Sequence, residues 1–283
     1  MKFHVSHQTD YQYSAPVFLE PHIIRLNPRH DACQKISNFH LEIVPQPDGI
    51  HHFLDAAGNY ATCIWFAEKT PSLAITTSFE AQTFCTNPFG YLVTDAKFLR
   101  LPVSYEKNEA PALACFLATA AIDKDVQSFA DMVLEHSEGV TLDFLAGLCT
   151  AVYENFTLET REHGVPFPPD ITFQKKSGAC RDLVVLFMAI CRSYGLAARF
   201  VSGYQEGDPD MEQRHLHAWA EVYIPGGGWR GYDPSHGLVV ADRHIALAAS
   251  FDPGGAAPVS GTFRGTGVTA TTSYSISLSA APQ

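Results

Sequence analysis

The first hundred residues alternate between apolar and polar side chains, with the two-residue period of β-strands. The odd positions of the opening stretch carry apolar or aromatic side chains at Phe3, Val5, Tyr11 and Tyr13. The segment Ser14-Ala15-Pro16 is predicted to end this strand. Further short strands follow with turn residues between them, so we predict an N-terminal all-β, sandwich-like module over residues 1–105.

From about residue 106 onward, apolar residues recur at three- and four-residue spacing, which predicts helices. The pattern covers PALACFLATAAI, SFADMVLEHS and LDFLAGLCTAVYENF, and Thr141 is the predicted N-cap of the third. The segment from Thr157 to Lys176 contains several prolines and little periodicity, which predicts a surface loop. Another helix is predicted to begin at Cys180, where a broad apolar face continues to a terminating Gly195.

Strand patterns return after Gly195, in the segments AARFVSGY, HAWAEVYI and WRGYD. The acidic stretch 205–214 predicts an exposed loop, and the final segment VTATTSYSISLSA alternates like a strand. We therefore predict an α+β fold in which the β module is followed by a core over residues 106–255. In that core the cysteine helix packs against an antiparallel sheet, and a C-terminal strand within 256–283 returns onto a sheet.

Composition and charge narrow the class of partner. The chain has 283 residues, with 19 Lys and Arg against 30 Asp and Glu, and a formal net charge of −11. This charge argues against nucleic acid or an anionic membrane surface as a partner. The longest apolar run, Leu183 to Cys191, is too short to span a bilayer, and the opening MKFHVSHQTDYQY lacks the apolar region of a signal peptide.

The cysteines are seven in number, lie far apart in the sequence and form no CxxC pair. The sequence therefore offers neither a zinc knuckle nor a CxxC redox motif. Thiols distributed in this way are typical of reduced, buried cysteines in a protein of the cytoplasm. We predict a cytoplasmic location, no cofactor and no metal requirement.

Cys180 differs from the other cysteines because it follows a small-residue turn and opens a predicted helix. The first turn of a helix has free backbone N–H groups and the positive end of the helix dipole, which favour an anion. An ordinary thiol with a pKa near 8.5 is only about 3% thiolate at pH 7, and such a position lowers the pKa. Cys180 is therefore a candidate nucleophile, although cysteines within apolar runs are most often core residues.

Two further residues complete an arrangement suited to thiol chemistry. His217 opens the strand HAWAEVYI, and Asp233 ends the strand that follows the glycine turn at 225–228. If the two strands form a hairpin about that turn, these residues lie at the same end of the sheet, about 4.5–5.5 Å apart between Cβ atoms if directly opposite. A helix N-terminus packed there would present the Cys180 sulfur to the imidazole, so we predict a Cys-His-Asp triad.

The three groups have distinct predicted roles. His217 takes the thiol proton and later donates a proton to the leaving amine, while Asp233 fixes the tautomer of the imidazole. The backbone N–H of Cys180 is a predicted oxyanion donor, and the side chain of Gln174, six residues earlier, is a candidate for a second donor. Trp219 is a candidate both for core packing and for contact with the substrate.

The same histidines allow a metal-binding interpretation. His215 and His217 alternate along one strand and therefore share a face, and His236 follows Asp233 closely. Thirteen histidines make chance pairs common, however, and no cysteine stands at ligand spacing. We therefore favour a triad without a metal.

The segments GACRDLVVLFMAICRSYG, HAWAEVYIPGGGW and GYDPSHG resemble the transglutaminase-like superfamily, in its bacterial branch of candidate cysteine peptidases. That branch combines Gly-x-Cys-Arg/Gln-Asp at a helix start, His-Ala-Trp-x-Glu in a strand and a following Asp-Pro, which match Cys180, His217 and Asp233. The opening YQYSAPV and LNPR are similar to the β-rich N-terminal region often found ahead of that core. The resemblance implies a papain-like core, although residues 248–253 depart from the Ala-x-Gly-Arg-Asp-Tyr stretch usual in the family.

Three functions are compatible with these residues. We expect a thiol enzyme that forms an acyl-enzyme from a peptide or other amide, most simply a peptidase- or amidase-type hydrolase. A transglutaminase proper would pass the same acyl group from a glutamine to an amine, and the sequence does not separate these two reactions. The third function is an inactive interaction module that keeps the fold, against which the complete Cys-His-Asp set argues.

Overall fold

The chain begins with a β-rich region. The computed structural model describes residues 1–118, 121–161, 164–207 and 214–282. The strands of this first region are β1 (Lys2–Leu19), β2 (His22–Ile24), β3 (Gln34–Val44), β4 (Gly49–Leu54), β5 (Tyr60–Trp65) and β6 (Thr70–Thr83).

A helical segment follows, after a short 3₁₀ helix at Ala96–Leu99. Its elements are α1 (Ala110–Leu117), α2 (Lys124–His136), α3 (Thr141–Asn155), β7 (Thr157–Leu158), α4 (Pro169–Lys175), β8 (Ser177–Gly178) and α5 (Cys180–Ser193). The remaining strands are β9 (Ala198–Gln205), β10 (His217–Ile224), β11 (Gly228–Asp233), β12 (Leu238–Val239), β13 (His244–Ser250), β14 (Val259–Ser260), β15 (Phe263–Arg264) and β16 (Ala270–Ala281).

The first sheet is built around β1. This strand pairs antiparallel with β6 on one side and with β16 on the other. β3 pairs with β6, and β15 pairs with the end of β1. A smaller sheet beside it has the order β14-β2-β5-β4. The C-terminal strand of the chain therefore forms part of the N-terminal sheet.

Alternation decides which face of β1 packs inward. Phe3 and Val5 are buried while their immediate neighbours along the strand are exposed. Phe79 of β6 lies opposite Val5 and is buried as well. Because side chains of paired strands point to the same face at directly opposite positions, the two-residue pattern places these apolar groups in one core.

β1 continues through Ser14-Ala15-Pro16, where the sequence predicts its end. The pairing with β6 shifts register between Gln12 and Val17 and then resumes. Pro16 lacks a backbone N–H, which costs nothing at a position where the ladder is already interrupted. The strand changes register here instead of ending.

The second sheet has the order β12-β11-β10-β9-β13, and all of its neighbours are antiparallel. α5 packs against β9 and β10 of this sheet. Every residue of β13 is buried, as expected for a strand with both faces covered. The predicted α+β fold, with the cysteine helix on an antiparallel sheet and a β-rich N-terminal region, is confirmed.

The apolar face of α5 explains why this segment forms a helix and where it packs. Leu183, Val184 and Phe187 are among its residues that are almost completely buried. The helix ends ahead of Gly195, whose φ of 81° lies in the left-handed region. A Cβ at this position would lie 2.2 Å from the carbonyl oxygen of Val103, so only glycine fits.

The helical segment differs from the sequence prediction in two places. Thr141 is the first residue of α3 and its N-cap is Val140, so Thr141 provides no side-chain cap. The stretch predicted as a surface loop between α3 and α5 contains α4 and the short parallel pair of β7 with β8. α4 is only 7 residues long, too short to show an apolar period, and it begins with a proline suited to a first turn. In the acidic stretch predicted as a loop, residues 208–213 lie outside the described residues.

The two regions share an apolar core. Tyr204 of β9 and the β13 residues Ile245 and Leu247 belong to the same cluster of buried side chains as Phe3 and Val5 of β1. α5 and the helices before it pack into a second cluster with β10. In the described ranges, no helix combines the length and the apolar character needed to cross a membrane.

Candidate active site

A cleft of about 1010 Å³ is lined by both regions of the molecule. Cys180 and His217 line it from the second sheet and its helix, and Tyr11 and Tyr274 line it from β1 and β16. Its volume reaches the upper end of the range for ligand pockets. The cleft therefore gives a half-buried thiol access to a sizeable reactant.

The turn before α5 fixes the position of Cys180. Cys180 is the first residue of the helix, and Ala179 before it is extended, with a ψ of 164°. The Ala179 N–H donates to Oδ2 of Asp182 at 2.8 Å, which satisfies one of the free donors at this helix start. Gly178 makes room for this contact, because a Cβ there would lie 2.8 Å from the Cβ of Asp182. The small-residue turn thus aims the thiol into the cleft.

Asp182 is fully buried and forms an ion pair with Arg161, at 2.6 Å between Oδ1 and Nη2. The backbone N–H of Phe167 donates to the same oxygen at 2.8 Å. Arg161 also lines the cleft, so its ion pair with Asp182 joins the cleft lining to α5, the helix that begins with Cys180.

His217 and Asp233 meet at the end of the β10–β11 hairpin, with Nε2 and Oδ2 2.7 Å apart. The two residues share the predicted end of the sheet but are not directly opposite each other. The register pairs Ala220 with Tyr232, so Asp233 falls opposite Trp219 and lies diagonally across from His217. Both side chains still share one face, and a diagonal pair is within reach of a long side chain.

The ionisation of His217 follows from its partners. Burial alone would lower its pKa, but the Asp233 carboxylate, the hydrogen bond to it and the adjacent Cys180 thiol raise the pKa to about 10. Because ionised Asp233 only accepts, Nε2 of His217 carries the proton in that contact. This leaves Nδ1 for the hydrogen bond with Cys180. At neutral pH His217 is therefore an imidazolium beside the sulfur of Cys180.

Asp233 is the most heavily hydrogen-bonded group of the site. Among the described residues, imidazoles from three histidines converge on its Oδ2, with Nε2 of His217 at 2.7 Å, Nδ1 of His236 at 2.9 Å and Nε2 of His244 at 3.2 Å. Ser235 donates to Oδ1 through its N–H at 3.1 Å and its hydroxyl at 2.6 Å. Burial would raise the pKa of Asp233, but the charge of His217 and the hydrogen bonds from His217, His236 and His244 hold it well below its usual range.

His244 is a neutral donor to Asp233. Burial lowers its pKa, despite the opposing effect of the carboxylate. Within the described ranges its Nδ1 has no hydrogen-bond partner, which fits an unprotonated nitrogen on a ring whose proton is on Nε2. His236 is different because its side chain is 35% exposed and lines the cleft.

Sequence reasoning missed the contact of His244 and His236 with Asp233. His236 entered only the metal interpretation, and its position three residues after Asp233 was the available signal. For His244 no signal existed, because its strand, HIALAAS, is apolar at nearly every position and carries no alternation. Only the pairing of β13 with β9 brings this imidazole to the end of the sheet.

The two weaker candidates lie elsewhere. Gln174 is exposed on α4 and is not part of the cleft lining, so the structure does not bring it to the thiol. Trp219 is 2% exposed and packs with Val201 and Ala246 in an apolar cluster, and its ring edge contacts His244 at 5.1 Å between ring centroids. A side chain so deeply buried offers no surface to a substrate, so the structure supports only the packing role of Trp219.

The metal interpretation receives limited geometric support. His217, Asp233 and His236 offer ligand atoms within 4.8 Å of one another. Both imidazoles already hydrogen-bond the same carboxylate oxygen, which accounts for their positions. His215, the other half of the HxH pair, contacts the hydroxyl of Tyr274 through Nδ1 at 2.5 Å.

Two family models match the chain. Residues 3–82 match the bacterial transglutaminase-like N-terminal region. Residues 127–234 match the transglutaminase-like superfamily, and this segment includes Cys180, His217 and Asp233.

Relatives and solved structures match over different lengths. An uncharacterized protein of Mycobacterium tuberculosis is 26% identical over 277 residues, which covers 92% of this chain and 87% of the relative. A protein-glutamine gamma-glutamyltransferase of Pseudomonas aeruginosa is 31% identical over 88 residues, or 29% of this chain and 13% of that protein. The crystal structure of a candidate cysteine protease from Cytophaga hutchinsonii has a TM-score of 0.73 at 20% identity, covering 99% of this chain and 90% of that one. At that identity the likeness shows a common fold.

Proposed function

We propose that this chain, which belongs to the transglutaminase-like superfamily, is a thiol hydrolase that forms an acyl-enzyme on Cys180 from a peptide or other amide. The contact of His217 with two partners carries this proposal. Its Nε2 hydrogen-bonds Asp233 and its ring also hydrogen-bonds Cys180, at the wall of a cleft large enough for a substrate.

The reaction proceeds in two halves. The Cys180 thiolate attacks the amide carbonyl, and the backbone N–H of Cys180 at the start of α5 stabilises the negative oxygen that forms. Nδ1–H of His217 gives its proton to the departing amine, the C–N bond breaks and a thioester remains. A water molecule then loses a proton to Nδ1 and attacks the thioester. The carboxylic acid leaves, and the thiolate–imidazolium pair is restored.

Asp233 acts on His217 and does not contact the substrate in this proposal. The carboxylate holds the ring with Nδ1 directed at the sulfur and stabilises the imidazolium. The hydrogen bonds from Ser235 and His244 in turn hold the carboxylate. Asp233 is thus kept ionised and in place throughout the cycle.

Acyl transfer to an amine is the second candidate. It is favoured by the local likeness to the protein-glutamine gamma-glutamyltransferase of Pseudomonas aeruginosa. The acyl-enzyme would be the same, and the outcome would depend on whether water or an amine reaches the thioester first. Two reaction outcomes therefore follow from one proposed intermediate.

The experiment compares the full chain with its Cys180→Ala variant on a peptide library, with and without an excess of a labelled primary amine. Peptide fragments, or ammonia released without incorporation of the label, seen only with the native chain, support the hydrolase. Label incorporated at glutamine only by the native chain favours the transferase. Equal results for native chain and variant would contradict both and leave an inactive module. The predicted cytoplasmic location stays a prediction and enters none of these steps.

A further inference from the structure

The inner face of the first sheet changes character along its length. On β1 it carries Phe3 and Val5, then His7, Thr9 and Tyr11. Ala280 and Leu278 of β16 lie opposite the first pair, whereas Tyr274 and Thr272 lie opposite Thr9 and Tyr11. The apolar end packs into the shared core. The other end carries hydroxyl groups on an otherwise inward-facing surface.

These hydroxyl-bearing residues share a cleft with the proposed nucleophile. Thr9, Tyr11, Thr272 and Tyr274, named here the polar wall, line the same cleft as Cys180 and His217. The Tyr274 hydroxyl contacts His215, which lies two residues before His217. Tyr274 also lies close enough to Arg181, the neighbour of Cys180, to act on its pKa. The polar wall is therefore part of the surroundings of the proposed nucleophile.

His7 connects the polar wall to β9 by hydrogen bonds. Nε2 of His7 contacts the Thr9 hydroxyl at 3.1 Å, and its Nδ1 contacts the Tyr204 hydroxyl at 2.8 Å. Burial lowers the pKa of His7 to about 4, so this ring is neutral at physiological pH. A chain of hydrogen bonds from β9 thus fixes one end of the polar wall without adding charge to the cleft.

Two hydroxyl groups of the polar wall are available for hydrogen bonds to a ligand. Within the described part of the chain, neither the Tyr11 hydroxyl nor the Thr272 hydroxyl has a hydrogen-bond partner, and neither belongs to the buried polar atoms that lack one. Burial raises the pKa of Tyr11 to about 12, so its hydroxyl stays protonated and both donates and accepts. Tyr11 and Thr272 are directly opposite in the register and form one patch.

A purely structural role, in which the polar wall only packs against the rest of the protein, does not explain its hydroxyl groups. Polar groups at a packing interface cost free energy unless they are hydrogen-bonded, so a packing surface is better built from apolar residues like Phe3 and Val5. Hydroxyl groups suit the alternating N–H and C=O groups of a polypeptide, and tyrosine rings add apolar contact area. A cleft of about 1010 Å³ has room for several residues of an extended peptide.

We propose that the polar wall binds the polypeptide segment adjacent to the amide attacked by Cys180, so that the substrate is an extended polypeptide and not a small free amide. The N-terminal β region is then a substrate-binding part of the enzyme. This inference rests on the proposed function of Cys180 as the nucleophile.

The test uses pairs of alkylating probes that share a reactive group. Chloroacetamide is compared with N-chloroacetyl-tetraalanine amide, which places peptide on the amine side, and chloroacetone with acetyl-tetraalanine chloromethyl ketone, which places it on the acyl side. The measured quantity is the rate ratio of peptide probe to small probe at Cys180. We expect this ratio to exceed its value for a free thiol in at least one pair, which also identifies the side that the polar wall binds.

The variants remove hydroxyl groups with little change in shape. Tyr11→Phe and Thr272→Val are each expected to lower the rate ratio about fivefold, the effect of losing one hydrogen bond to the probe. Gln12→Ala and Ser273→Ala are the matched controls, because these neighbours are exposed on the opposite face of the same strands. The controls are expected to keep the native ratio, and thermal unfolding checks that all four variants fold.

The outcomes separate this inference from the proposed function. A native ratio no higher than that of a free thiol in either pair overturns peptide binding, as does a ratio that Tyr11→Phe and Thr272→Val both leave unchanged. If chloroacetamide labels Cys180 no faster than the buried cysteines, the proposed nucleophile fails first. In that case the polar wall has no reaction to serve and the inference is overturned with it.

Discussion

Cys180 and Cys191 occupy opposite ends of α5 and have opposite surroundings. Cys180 lines the cleft and hydrogen-bonds His217, whereas Cys191 is completely buried in the apolar cluster around the helix. Burial raises the pKa of the Cys191 thiol well above its ordinary value. One helix therefore carries two thiols whose chemistry is set by position, one beside a cation and solvent and the other among hydrocarbon groups.

The largest expected effect is the difference in alkylation rate between these two thiols. We expect iodoacetamide at pH 7 to label Cys180 at least about 1,000-fold faster than Cys191, because a completely buried thiol reacts only through openings that cost several kcal/mol. Peptide mapping by mass spectrometry after timed labelling measures both rates in one sample.

Cys149 of α3 serves as an internal control for this comparison. It too is buried, and burial raises its pKa. We expect it to react as slowly as Cys191. Comparable labelling of all three cysteines would show that the two ends of α5 do not differ in the way proposed here.

The next effect concerns the source of the thiolate at Cys180. With the pKa of His217 raised to about 10, the imidazolium persists through neutral pH, and the labelling rate is expected to stay level between pH 6 and 8. His217→Ala removes this cationic partner, and an ordinary thiol with a pKa near 8.5 is only about 1% thiolate at pH 6.5. The rate at pH 6.5 should therefore fall about 100-fold and recover as the pH rises through 8.5.

The matched control is His136→Ala, which removes an exposed histidine from α2. Its pH–rate curve is expected to overlay that of the native protein. A His217→Ala curve that also keeps the native shape would mean that the reactivity of Cys180 does not depend on His217. His217 would then lose its proposed role, although the contrast between Cys180 and Cys191 would stand.

The comparison of the two thiols was largely accessible from the sequence. An apolar period places Cys191 on the packed face of the helix, and the preceding Gly178-Ala179 turn sets Cys180 at its start. The order of cysteine, histidine and aspartate along the chain pointed to a common site, and the structure brings Cys180, His217 and Asp233 together. Local patterns suffice here because each of these residues lies at the end of an element that its own sequence defines.

What the sequence did not reveal depends on register and on long-range pairing. The diagonal placement of His217 and Asp233 follows from the pairing of Ala220 with Tyr232, which no local signal specifies. β13 is apolar on both faces, so its pattern identifies neither a strand nor the direction of His244. The cleft also depends on the pairing of β16 with β1, in which Ser273 lies opposite Asp10, 263 residues earlier in the chain, and no local pattern reveals a pairing over such a separation.

The smallest effect tests whether the surroundings of Asp233 sharpen the contrast between the thiols. His244→Leu removes a donor from Oδ2 of Asp233, at 3.2 Å, without touching Cys180 or the cleft. The carboxylate is then held less firmly against His217, so the thiolate is stabilised less. We expect the labelling rate of Cys180 at pH 6.5 to fall about fivefold, the effect of one hydrogen bond, and the acid limb of the pH–rate curve to move to higher pH.

Two control variants separate the hydrogen bond of His244 from its packing. His244→Gln retains an N–H donor near the position of Nε2 and should restore most of the rate. Trp219→Phe changes the packing against His244 and leaves its hydrogen bond to Asp233, so it should lower the unfolding temperature without moving the curve. If Leu and Gln at position 244 give the same curve as the native protein, His244 only fills space, and Asp233 is held by its other partners.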